Sequence, residues 1–235
     1  MENELPLLIA VSNRWRDCCG HGKQRGGVGT VQIWICHGSD SLNFMAISDN
    51  SKIQTPQPLF GGYQPCTVPG VSVRNADIIE QFRDGAPDLT LDGPDILAAK
   101  EAAIKGDWEF EFFGRVIRPY NRGDIVTFGF ATGGSGYGDV LDRNSEAVME
   151  DLRNDIISHW TAENIYLVRY DHTTLRVDVA ATEEARHQER QRRIARGKSH
   201  DEFMREWSSL TVDESLLKFY GSYPDAKCVT PVYRP

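Results

Sequence analysis

Three glycine-rich stretches govern what this 235-residue chain can fold into. They are Gly20-His21-Gly22-Lys23-Gln24-Arg25-Gly26-Gly27-Val28-Gly29, then Leu59-Phe60-Gly61-Gly62, then Gly133-Gly134-Ser135-Gly136-Tyr137-Gly138. Glycine loses more conformational freedom on ordering than any other residue. Runs of it therefore mark tight turns or places where one backbone must approach another closely, not element interiors. Regular structure has to be sought between the three.

Between them the pattern is that of strands. Val28–His37 combines β-branched residues with Trp34 and puts Val31, Ile33 and Ile35 on one face. Gly38-Ser39-Asp40 is expected to turn it into a second strand, Leu42–Ser48, as a hairpin with both faces apolar and covered. From Thr55 to Gly70, Pro56, Pro58, Gly61, Gly62, Pro65 and Pro69 exclude a regular element. Asn75 is expected to cap a short helix carrying Ile78, Ile79 and Phe82, and Asp92-Gly93-Pro94 to open another that ends before Gly106. Trp108, Phe110 and Phe112 alternate with Glu109 and Glu111 as in a half-exposed strand. Asp124–Ala131 alternates Val126, Phe128 and Phe130 against Ile125 and Thr127, with Gly129 marking a bulge or close approach.

After Gly138 the period changes. Ser145–Arg153 sets Val148 and Leu152 one helical turn apart, and Ser158–Asn164 reads as a short helix leading to a strand at Ile165–Tyr170. Asp178–Gly197 is a long charged helix, and Ser199 with Glu202 forms a capping box for a further one, to be docked by Phe203 and Trp207. The tail from Lys227 to Pro235 has no periodicity. The fold class expected is α+β, a β-rich body with glycine-rich turns over 1–141 followed by a helical C-terminal layer over 142–235.

The three stretches, in this order and spacing, resemble the hydantoinase B/oxoprolinase family. The first is similar to a family turn written Ser-Gly-Gly-x-Gly-x-x-Arg-Gly-Gly-x-Gly, and the second, with Pro69-Gly70, to its Phe-Gly-Gly loop. The third, with Gly123-Asp124 before it and Asp139-Val140-Leu141-Asp142-Arg143 after it, resembles Gly-Gly-Gly-x-Gly-Asp-Pro-Leu-Glu-Arg. Arg118-Pro119-Tyr120-Asn121-Arg122-Gly123 and Ile157-Ser158-His159-Trp160-Thr161-Ala162-Glu163-Asn164 look like the large subunits of acetone and acetophenone carboxylases rather than hydantoinases. Ala195-Arg196-Gly197-Lys198 and Lys218-Phe219-Tyr220-Gly221 look similar too. The likeness covers nearly the whole chain but only the last third or so of a typical family large subunit. A naturally split subunit or an accessory paralogue is therefore expected.

The resemblance implies a multisubunit, ATP-dependent ketone carboxylase that joins a ketone and bicarbonate into a β-keto acid. ATP and a divalent metal are then expected in partner subunits: a hydantoinase A-like ATP-binding subunit and the N-terminal B-like subunit, which this chain completes. The alternatives are a subunit of an ATP-dependent cyclic-amide hydrolase of hydantoinase/oxoprolinase type, and a non-catalytic assembly subunit. Two departures bear on the match: Cys18-Cys19 stands where the family has Ser-Gly, and Val140 replaces a proline. They leave the role of the first turn open.

A net charge of -8 argues against a nucleic-acid binder. No apolar run approaches a membrane span, and Met1-Glu2-Asn3-Glu4 is not the start of a signal peptide. The five cysteines have no framework spacing, so reduced thiols in a cytoplasm are expected.

For site residues the candidates are Tyr137, Asp139 and His159. Tyr137 and Asp139 flank a glycine loop whose N–H groups can in principle cradle an anion, though it lacks the Gly-Lys-Ser/Thr end of a P-loop. Tight turning and close packing is the competing role for that loop, and capping of the following helix the competing role for Asp139. His159 carries an imidazole, a side chain that can act as acid or base; the competing role is packing beside a Trp160 anchor. Cys18, Cys19, His21, Cys36 and His37 are zinc-type residues at poor spacing, and neither a metal nor a cofactor is expected on this chain. The basic run Arg186, Arg190, Arg192, Arg193, Arg196 and Lys198, relieved by Glu189, is either a solvated face or a dock for an acidic partner.

Overall fold

The structure is a computed structural model describing residues 4–47, 54–68, 70–85, 103–111, 115–127 and 132–209. The chain divides into two compact units, Met1–His187 and Gln188–Pro235.

The first unit is built on an antiparallel five-stranded sheet of order β1-β2-β7-β4-β5, with β1 Leu7–Arg14, β2 Thr30–Cys36, β4 Gly70–Arg74, β5 Asp107–Glu111 and β7 Ile125–Thr127. β3 Ser41–Ile47 and β6 Arg115–Asn121 form a second, two-stranded antiparallel sheet. β2 reads as expected: Ile33 and Ile35 pack with Val71, Val73 and Ile125 under Ile78 of α1, Ile78–Arg83. Its other face carries Trp34 and Cys36 into a separate core with Tyr120, Leu42 and Phe44. Burying both faces of one strand is what makes its sequence almost continuously apolar.

Several expectations are corrected. The turn at Gly38 exists (φ +81°), but β3 does not return along β2 as a hairpin. Both edges of β2 are taken, by β1 and β7, so β3 ladders with β6 instead. Asn75 does not cap α1; its N–H donates to the Asp124 carboxylate at 2.8 Å, and Asp77 holds the cap position. Ile165–Tyr170 is not a strand, because Leu167 has φ +52° and the backbone breaks there. The helix expected after Asp92, and Phe112, Phe128, Gly129 and Phe130, lie outside the described residues, as does the tail.

A helical layer follows the third glycine stretch. Asp139 caps a short 3-10 turn, Val140–Asp142, through the Leu141 N–H at 2.9 Å. Asn144 caps α2, Ser145–Arg153, and Ser158 caps α3, His159–Asn164. Capping oxygens satisfy donors that the first helical turn leaves unpaired. These helices enclose a core of Val140, Leu141, Val148, Met149, Ile157 and Tyr166, which reaches back to Cys19. The long helix α4, Val179–Arg196, comes next.

In the second unit, Glu189 gathers Arg192, Arg193 and Arg196 at 3.1, 3.2 and 3.1 Å, and these bonds hold its carboxyl below the usual range against the opposing effect of burial. Much of the basic run is thus neutralised within its own helix. The capping box of α5, His200–Ser209, is present in both directions between Ser199 and Glu202. Phe203 and Trp207 stack on each other at 6.0 Å, each about half exposed among the described residues. Among the described residues no helix is long and apolar enough to cross a membrane.

Candidate functional site

The three glycine stretches meet at one node. The Gly20 N–H donates to Gly134 O at 2.8 Å and the Gly134 N–H returns to Gly27 O at 2.9 Å. Gln24 and Tyr137 exchange a pair of bonds, each 2.9 Å. The second stretch joins from the other side: Gly138 N–H to Leu59 O at 2.9 Å, Gly136 N–H to Tyr63 O at 2.9 Å, and Tyr63 N–H to His21 O at 2.7 Å. The backbones run so close that a Cβ on Gly20, Gly26, Gly62, Gly133 or Gly136 would overlap backbone atoms of another stretch. This is the close-packing role. In it the N–H groups of Gly134, Gly136, Tyr137 and Gly138 all donate to carbonyls.

The node is fastened further. Cys18 and Cys66 form a disulfide with Cα atoms 5.2 Å apart, which overturns the reading of every cysteine as a free thiol. The cause is tertiary: the node brings together two loops 48 residues apart in sequence. Cys19 and Cys36 remain free and buried.

A buried polar cluster then ties the node to the helical layer. One carboxylate oxygen of Asp151, in α2, accepts from Arg143 at 2.7 Å and from Arg25 at 3.1 Å. Burial works against the charge on Arg25, but the bond and charge of Asp151 outweigh it and hold its pKa above the ordinary value. Arg143 also donates to Lys23 O at 3.3 Å and lies over the Tyr166 ring at 5.7 Å. The Tyr166 hydroxyl meets His21 Nδ1 at 3.1 Å, and Gly22 backbone hydrogen-bonds the same tyrosine. Burial lowers the His21 pKa, which suits a neutral imidazole accepting the phenol proton. Burial also raises the Tyr166 pKa and pushes the Cys19 thiol up to about 12, so neither is an activated nucleophile.

This cluster was missed in the sequence, although one signal for it exists. Asp151 lies three residues after Val148, on the buried face of α2.

The candidates named from sequence fall in two places. Tyr137 and Asp139 belong to the node; the Tyr137 ring points outward against Phe60, centroids 5.3 Å apart, and Asp139 caps the 3-10 turn rather than α2. His159 belongs elsewhere. Its Nδ1 is 2.7 Å from the Tyr170 hydroxyl and its ring stacks on His172, whose Nε2 is 2.6 Å from Glu163. Burial, then the Glu163 charge, pushes the Tyr170 pKa up to about 12. Trp160 beside it is exposed, not a core anchor. Glu163 and Tyr170 also line an open groove of about 680 Å³ with Arg169, Asp171 and Arg176.

Of the zinc-type residues, Cys18 is in the disulfide, His21 faces Tyr166, Cys36 is buried and His37 is exposed. Among the described residues no three His, Cys, Asp or Glu side chains are grouped to hold a metal ion.

No family model matches this chain. It is 50% identical over 234 residues to the acetophenone carboxylase delta subunit of Aromatoleum aromaticum, a match covering 100% of this chain and 34% of that protein. The chain thus spans about a third of the length of this curated relative. Among solved structures, nucleotide-free acetone carboxylase has a similar fold, with TM-score 0.69 and 24% identity over 86% of this chain and 27% of that one. The ATP-dependent caprolactamase of Pseudomonas jessenii is also similar, with TM-score 0.57 and 22% identity over 79% of this chain and 27% of that one. The likeness to acetone and acetophenone carboxylase subunits read from Arg118–Gly123 and Ile157–Asn164 is borne out by this match, which runs the length of this chain.

Proposed function

We propose that this chain, a homologue over its whole length of part of a ketone carboxylase subunit, is itself a subunit of a multisubunit, ATP-dependent ketone carboxylase. The complex would carboxylate a ketone with bicarbonate to a β-keto acid. The observation that carries this is the 50% identity to the acetophenone carboxylase delta subunit, sustained over 234 residues. The chain corresponds to the C-terminal part of a hydantoinase B-like subunit. It works with an N-terminal B-like chain and with a hydantoinase A-like chain that binds ATP; nucleotide and divalent metal belong to those partners. The compartment that goes with such a reaction is the cytoplasm.

The geometry supports a framing role. The node is a densely hydrogen-bonded support, and the buried Arg25–Asp151–Arg143 cluster holds the helical layer against it. No step of the reaction is assigned to a residue of this chain.

The test is to purify the complex under native conditions, identify its chains by mass, and assay ATP hydrolysis that depends on both a ketone and bicarbonate. Turnover with ketone plus bicarbonate is expected. The likeness to caprolactamase gives a second reading, a subunit of a cyclic-amide hydrolase. ATP hydrolysis driven by lactams or hydantoins without bicarbonate would replace the first reading with that one. Alanine at Tyr137, Asp139 and His159 with assembly and turnover both intact would leave the chain a pure assembly subunit.

A further inference from the structure

On the rim of the glycine node four large apolar side chains stand together in solvent. Phe60 is 76% exposed, Leu59 56%, Tyr137 49% and Tyr63 42%. They form one patch: the Phe60 and Tyr137 rings meet edge to face, Leu59 bridges Tyr137 along the backbone, and Tyr63 pairs with Gly136. The backbone beneath them is pinned by hydrogen bonds on both sides and by the Cys18–Cys66 disulfide. Phe60 is moreover held at φ +53°, a left-handed conformation that a bulky residue avoids. An aromatic ring held in solvent by a strained, well-fixed backbone implies that the exposed position is itself in use. Aromatic residues on a rigid support are the usual anchors of protein interfaces.

We infer that this patch is the seam at which a separate polypeptide docks, one homologous to the portion of the curated relative that this chain does not match. The inference rests on the function proposed above. Three relatives favour that occupant: the chain matches 34% of the curated one, and the shared fold is 27% of each of the two solved chains. In all three this fold is one part of a longer polypeptide, so a face for the remainder is required wherever the two parts are separate chains. The chemistry offered is an aromatic edge of Phe60 and Tyr137 beside exposed Gly61, where no side chain obstructs close approach. The partner therefore supplies an apolar pocket.

The test uses the complex. Native copurification identifies the companion chain, and co-expression with it provides material for variants. Phe60→Asp and Tyr137→Asp should each weaken retention of the companion at least tenfold. Val179→Asp, at an exposed apolar residue of the helical layer, should leave it unchanged. Unaltered thermal melting of each variant shows that the fold is intact, and a benzophenone amino acid at position 60 gives a second readout by crosslinking to the companion. If the wild-type chain holds the companion and both patch variants hold it equally well, the seam is wrong and the proposed function stands. Crosslinks from position 60 only to the same chain or to a second copy also overturn the seam. Failure of the wild-type chain to retain any such companion removes the proposed function itself.

Discussion

No room separates Gly136 from His21: a methyl group on Gly136 would overlap the carbonyl carbon and oxygen of His21. The atoms it would meet are backbone, fixed on either side by hydrogen bonds, so they cannot swing aside as a flexible side chain would. Gly136→Ala should cost roughly 3 kcal/mol or more, at the upper end of overpacking effects. Gly27 is the control within the same motif, since a Cβ there meets nothing within 4 Å. Gly27→Ala should melt within a few degrees of the wild type, and equal melting of the two variants would contradict the packed node.

Asp151 is the shared acceptor of two guanidinium groups that have few other partners. Asp151→Asn leaves Arg25 and Arg143 largely enclosed without their counter-charge and should destabilise the protein by about 3 kcal/mol, as breaking a buried pair does. Urea unfolding monitored by tryptophan fluorescence reads this directly. A loss below about 0.5 kcal/mol would mean that solvent already screens the cluster.

How far the sequence spoke depends on the kind of information. β2 and α2 were legible because alternation and caps are local: Ile33 and Ile35 share a face, and α2 spans Ser145–Arg153 as expected. β1 was missed because Ser12, Asn13 and Arg14 interrupt its apolar half at an exposed sheet edge. β4 was missed because five residues between breakers give too short a period. The false hairpin has another cause: periodicity says which face of a strand is buried but not which edge is free. The same limit applies to the site. The order of the three glycine stretches was readable, whereas their meeting, the disulfide and the Asp151 cluster depend on contacts between distant segments. Tyr166 and Val168 alternate like a strand, yet the left-handed Leu167 between them breaks it.

The Cys18–Cys66 bond gives a prediction in chemistry rather than packing. Alkylation of the folded, non-reduced protein should spare Cys18 and Cys66 because they are bonded, and Cys19 and Cys36 because they are buried. After reduction in the folded state, Cys66 should label ahead of Cys18, being the more exposed. Cys66→Ser should lower stability by up to roughly 4 kcal/mol under non-reducing conditions, the chain-entropy estimate for a loop of this length. Its melting should then match that of the reduced wild type. Immediate labelling of Cys66 without reductant would exclude the bond.

Acid should act through His21. Its pKa is lowered from 6.5 by burial, so the unfolded chain binds a proton there before the folded one does. The stability that comes from keeping it neutral is complete above pH 6.5 and falls as pH drops through that value toward the folded pKa. In a comparison of wild type and His21→Gln between pH 7.5 and 5, the wild type should lose more stability, the other groups being common to both. Parallel curves would show that His21 protonates freely in the fold.

Because the Gly20 N–H is satisfied by Gly134, the first glycine turn lacks that partner until residues far later in the chain have been made. On a ribosome it emerges early, after β1, and waits incompletely paired while β2 through β7 follow. Contacts this distant in sequence make for slow closure. The same glycines that make the finished node dense thus leave its first third incompletely paired until the third stretch has been made.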